Sequence, residues 1–192
     1  MNHRTVTLRR FSVLDITTIA LCAALIALCS QIAIPTVVPF TMQTFGVFCT
    51  LGLLGGKRGT IAIALYLCMG AIGLPVFSGF SGGIGHLLGQ TGGYLTGFLF
   101  SALLYWLITA SSDTSYWRQI LAMAAGLLVC YIFGTLQFAI LYTRNTGAVG
   151  LTTILGWCVF PFIIPDVLKI GLALAVRRVL HPFLKRHLQS RT

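Results

Sequence analysis

Basic residues in this sequence lie between long apolar stretches, and only Lys169 falls well inside one. A helix needs roughly 20 apolar residues to cross a bilayer, and charge within such a stretch is costly. The pattern therefore restricts the chain to a bundle of membrane-crossing helices. Composition agrees: 57% of residues are hydrophobic and 8% charged, with a mean hydropathy of +0.92. A soluble domain carries about 25% charged residues.

The apolar stretches predict helices over about 14–34, 43–55, 59–74, 94–110, 120–142 and 165–180, with a short element over about 151–160. The chain reads as one transmembrane domain, all-α and polytopic, over 1–192. The 43–55 stretch is short, Lys57-Arg58 reads as a turn, and Pro35 and Pro75 end their helices. Pro161 and Pro165 interrupt the last apolar region, and since proline suits a first helical turn, a start near Pro165 is expected. The basic N-terminus before an apolar stretch resembles a signal peptide. Leu28 before Cys29 is a poor lipoprotein cleavage context and further apolar stretches follow, which favours a first transmembrane helix.

With six helices, Arg4, Arg9, Arg10, Lys57, Arg58, Arg118, Arg177, Arg178, Lys185, Arg186 and Arg191 fall on one side, against Arg144 on the other. The positive-inside rule then puts both termini in the cytoplasm of a multi-pass cell-membrane protein. The net charge of +10 suits anionic lipid headgroups, and no nucleic-acid motif is present. The six cysteines lie in apolar stretches without metal-ligand spacing and read as small hydrophobes. Tyr105, Trp106, Tyr116 and Trp117 read as interfacial anchors.

Two regions could carry chemistry. Asp166 and Lys169 are three residues apart on one helix face, and ionisable groups at membrane depth mark ligand or ion paths. A structural ion pair is the plainer reading. The 75–93 segment is long and glycine-rich, with Ser81, Gln90 and Thr91 as hydrogen-bonding groups and Phe77, Phe80 and Tyr94 as apolar faces. It suits a cavity lining or a flexible loop equally. Gly52-Leu-Leu-Gly-Gly-Lys-Arg58 has the wrong spacing for a phosphate loop. One acid beside one lysine is also meagre for a membrane enzyme.

The stretches Val38-Pro-Phe-Thr-Met-Gln-Thr-Phe-Gly-Val47, Gly55-Gly-Lys-Arg-Gly59, Gly70-Ala-Ile-Gly-Leu-Pro-Val-Phe77, Gly89-Gln-Thr-Gly-Gly-Tyr94 and Pro161-Phe-Ile-Ile-Pro-Asp-Val-Leu-Lys169, in this order, resemble the BioY family. These are the biotin-specific substrate-binding (S) components of energy-coupling factor (ECF) transporters. The resemblance implies the ECF S-component fold and biotin as transported ligand, with no cofactor. It implies a site formed by Asp166, Lys169, Ser81, Gly82, Gly83, Gln90, Thr91, Gly92, Gly93 and Tyr94. It also implies a lid of Val38, Pro39, Phe40 and Gln43, and docking of a transmembrane coupling subunit, itself served by ATPase subunits, on Ala20 and Ala24. The sequence departs from the family where Gln90 replaces a usual proline and where Ser81 and Leu95 replace the Asn and Arg of some relatives. Alternatives are another vitamin on the same fold, or a solitary biotin transporter.

Overall fold

A computed structural model describes residues 12–110, 115–147 and 149–189, the segment 181–189 by its backbone alone. Arg4, Arg9, Arg10 and Arg191 lie outside the described residues, as do the side chains of Lys185 and Arg186. Helix α1 spans Val13–Gln31 and opens on a capping box. The Asp15 amide donates to Ser12 Oγ at 3.2 Å and the Ser12 amide to Asp15 Oδ2 at 3.0 Å, which satisfies two N–H groups that a helix start leaves open. The helix stops short of Ile34 because Ala33–Ile34 (β1) pairs antiparallel with Phe40–Thr41 (β2) as a short hairpin.

Helix α2, Gln43–Ala71, is two legs meeting at Gly55, whose φ of 76° and ψ of 178° break the helix. Residues with a Cβ essentially never adopt that conformation. The reversal is complete, because Gln43 Nε2 donates to Tyr66 Oη at 2.8 Å. In a straight helix the two residues would be about 35 Å apart. Gly59 packs on Leu51 at the same distance from the bend, where a Cβ would come within 2.9 Å of Leu51 Cδ2. The turn expected at Lys57-Arg58 is therefore a glycine bend just before them. Both basic residues belong to the second leg, where Arg58 pairs with Asp15 at 2.8 Å.

The rest of the chain forms α3 (Ile84–Leu87), α4 (Gly92–Thr109), α5 (Tyr116–Thr146), α6 (Leu151–Cys158) and α7 (Phe160–Gln189). α7 begins at Phe160, not near Pro165. The break comes at Val159, whose φ of −130° and ψ of −58° separate it from α6. Pro161 then lies in the first turn, where no amide partner is lost, while Pro165 forfeits one bond within the helix. Because α7 continues past Leu180, Arg177 lies within it and donates from Nε to the Gly52 carbonyl at 2.9 Å.

α2 occupies the middle of the bundle, against α1, α4 and α7. α4 and α5 approach closely through glycines. A Cβ at Gly93 would strike the Phe133 carbonyl, and one at Gly97 would stand 3.0 Å from Cys130 Cα. Small residues allow such contact between membrane helices. Leu21, Leu28, Leu107, Leu121, Leu128 and Leu168 are exposed, as a lipid-facing surface requires. Trp106, Tyr116 and Trp117 reach the surface, whereas Tyr105 is buried in the core and is no interfacial anchor. Five of the described helices are long and apolar enough to cross a bilayer, and the bend divides α2 into two legs, which gives six membrane segments.

Candidate functional site

A cavity of about 100 Å³ lies at the end of the bundle opposite Gly55. One water needs roughly 10–15 Å³ on the same measure, so the space exceeds a single solvent site. Its floor is the start of α7. Asp166 and Lys169 are 3% and 5% exposed, and Lys169 Nζ donates to Asp166 Oδ1 at 2.7 Å. Tyr131 Oη, from the middle of α5, donates to Asp166 Oδ2 at 2.7 Å. Lys169 Nζ also donates to the Thr41 carbonyl at 2.6 Å and lies 4.1 Å from the Phe40 ring centroid. Burying an ion pair is unfavourable unless further hydrogen bonds satisfy it. Here each carboxylate oxygen has a donor, and the ammonium has two acceptors and an aromatic face. A carboxylate offers about four acceptor positions, so Asp166 keeps capacity for ligand N–H groups.

The roof is the 33–41 hairpin and the segment after α2. Val38 and Pro39 line the cavity, Phe40 stacks on Phe162 at 5.9 Å, and Thr41, Gln43 and Thr44 complete that side. The 72–91 segment is folded rather than loose. Ser30 Oγ donates to the Val76 carbonyl at 2.6 Å, Gln31 Nε2 to the Phe77 carbonyl at 3.1 Å, and Gln137 Nε2 to the Leu87 and Gly89 carbonyls. Phe77 is fully buried over Gly70, where a Cβ would collide with its ring.

Of the residues implicated from sequence, Asp166, Lys169, Thr91, Tyr94, Val38, Pro39 and Gln43 meet around the cavity. Phe40 joins them through Lys169 and Phe162. Ser81, Gly82, Gly83, Gln90, Gly92 and Gly93 do not line it. Ser81 uses its carbonyl and hydroxyl within the segment, toward the Phe77 amide and the Ser78 carbonyl. Gly83 donates to the Gly70 carbonyl at 2.7 Å, and Gln90 is exposed. Gly82 and Gly92 allow backbone to pass close to the Leu74 and Leu87 carbonyls. In their place the segment offers Ser78 and His86, whose imidazole stacks on Phe77 at 5.4 Å. Burial holds that imidazole below its ordinary range. Tyr131 was missed because one tyrosine in an apolar stretch looks like packing. Its distance from either end of α5 was the available signal, since interfacial tyrosines cluster at helix ends. Leu95, Phe98, Leu127 and Phe162 give apolar walls. The whole suits a small ligand with a polar head and an apolar body.

Fold and site together define a polytopic α-helical membrane protein with a small-ligand cavity at one end of its bundle. The BioY family model matches residues 1–186. The "Biotin transporter BioY" of Thermotoga maritima is 39% identical over 153 residues, which is 78% of this chain and 85% of that protein. The "Probable biotin transporter BioY" of Pyrococcus horikoshii is 36% identical over 163 residues, 84% of this chain and 93% of that protein. A crystal structure described as the S-component for biotin from an ECF-type ABC transporter matches with a TM-score of 0.72 and 29% identity, covering 87% of this chain and 90% of that one. The chain belongs to the BioY family, and its fold is that of an ECF S component.

Proposed function

We propose that this protein binds biotin and mediates its uptake across the bacterial cell membrane as the S component of an ECF transporter. The cluster of Asp166, Lys169 and Tyr131 on the lining of a mostly apolar cavity carries the reading. The ureido ring of biotin presents two N–H donors and one carbonyl acceptor. A buried carboxylate suits the donors, an ammonium or phenol suits the acceptor, and charge-assisted bonds are the strong ones. The apolar bicycle fits the walls formed by Leu95, Phe98, Leu127 and Phe162. Relatives named biotin transporters support the choice of ligand.

Lys57, Arg58, Arg177 and Arg178 lie toward the Gly55 end of the bundle, away from the cavity. By the positive-inside rule this supports cytoplasmic termini and a cavity facing outward. The 33–41 hairpin, with Val38, Pro39 and Phe40, is the lid. Ala20 and Ala24 are exposed on α1 as a small-residue face, suited to close docking of a transmembrane coupling subunit. Separate ATPase subunits supply the energy.

Calorimetry of the purified protein with biotin tests the ligand. Asp166→Ala and Lys169→Ala should each abolish binding in folded protein. Unaltered affinity in both variants overturns the site. Replacing Ala20 and Ala24 together by leucine should prevent co-purification of the coupling subunit without changing biotin affinity.

A further inference from the structure

Among the described residues that line the cavity, Asp166 and Lys169 alone carry fixed charges, and they cancel each other at 2.7 Å. A ligand bearing one carboxylate therefore brings an uncompensated negative charge into the cavity. A charge removed from water without a partner is costly, and in practice a nearby group changes its protonation instead. Lys169 is already the countercharge of Asp166, so its remaining N–H can bond a ligand oxygen but leaves the net charge of a carboxylate uncompensated. Leu95, at the start of α4 and on the same lining, brings no charge. The remaining base is His86.

Resting on the biotin reading above, we infer that His86 takes up one proton from solvent when the biotin carboxylate enters, and the resulting imidazolium is its countercharge. The balance closes: Asp166 and the ligand carboxylate are the two anions, Lys169 and His86 the two cations. No proton leaves the ligand, which arrives ionised. α3 packs against α2 and α4. From α2 the cavity receives Gln43 and Thr44, and from α4 Tyr94, so neither contributes a fixed charge to the lining. Phe77 covers one face of the imidazole. Cys130, Tyr131, Asp166 and Lys169 are the other titratable or charged lining groups. In the empty protein burial keeps His86 neutral near pH 7, so the proton must come from outside.

The test is calorimetry of the detergent-purified full chain with biotin, in buffers of differing ionisation enthalpy. Uptake approaching one proton per bound biotin is expected, with affinity falling up to about tenfold per pH unit above neutrality. Biotin methyl ester, which lacks the charge, should bind with no uptake and a flat pH profile. His86→Gln should bind biotin more weakly and without uptake, and ring-nitrogen NMR of labelled wild type should show an imidazolium on biotin addition. Biotin binding with buffer-independent heat overturns the inference while leaving the biotin reading intact. So does uptake that persists in His86→Gln, which would put the proton on Asp166. No biotin binding at all overturns both.

Discussion

Lys169 Nζ lies 2.6 Å from the Thr41 carbonyl oxygen, so the cation that neutralises Asp166 also fastens the 33–41 hairpin to α7. The hairpin is short, with Ile34 and Val37 exposed, and its other anchors are the apolar contacts of Val38 and Phe40 with the cluster around Phe138 and Phe162. Lys169→Met keeps the side chain's bulk and removes the charge. Backbone amides of 33–41 should then exchange hydrogen at least tenfold faster, with α4 and α5 unchanged. Equal exchange rates would show that the hairpin closes without the lysine.

Removing one member of a buried ion pair costs about 3–5 kcal/mol, because the other charge is stranded. Asp166→Asn and Lys169→Met should each lower the thermal midpoint in detergent. The double variant should recover much of the loss. Additive losses would mean that the two groups are not energetically coupled.

Tyr131→Phe removes a donor to Asp166 without opening a cavity. Leaving a buried acceptor unsatisfied costs about 1–3 kcal/mol. Biotin affinity should fall roughly 5- to 150-fold at that cost. Calorimetry at constant pH checks this, and wild-type affinity would show that the phenol does not help to define the carboxylate.

The adjacent glycines at the α2 bend should fail for different reasons. A Cβ at Gly55 meets nothing within 4 Å, so Gly55→Ala carries only backbone strain, about 1–3 kcal/mol. A Cβ at Gly56 would stand 2.5 Å from Trp106 Cα, so Gly56→Ala must push α4 away. Thermal unfolding should show both losses. Only Gly56→Ala should alter Trp106 fluorescence.

Crossing helices were legible because polar groups cannot face lipid, which makes apolar length and charge placement decisive. Asp166 and Lys169 were legible for the same reason. The bend at Gly55 was not, since two basic residues resemble a turn more than one glycine does, and a glycine's φ leaves no mark in sequence. The helix start at Phe160 was obscured by Pro165, which is tolerated one turn further in than its preference suggests. In the 72–91 segment, glycines that let backbone pass backbone are indistinguishable by type from glycines that receive a ligand. Gly82 and Gly92 belong to the first kind, while Ser78 and His86 line the cavity beside Phe77, which packs over Gly70.

The bend at Gly55 has a bearing on biogenesis. The first leg, residues 43–54, is about 18 Å of helix, well short of a hydrocarbon core of ~30 Å, so alone it makes a poor stop in the bilayer. With no linker between them, its stable residence depends on the second leg emerging from the ribosome. The two should therefore enter the lipid as one hairpin, and a chain cut off just after Gly55 should leave its last segment unanchored.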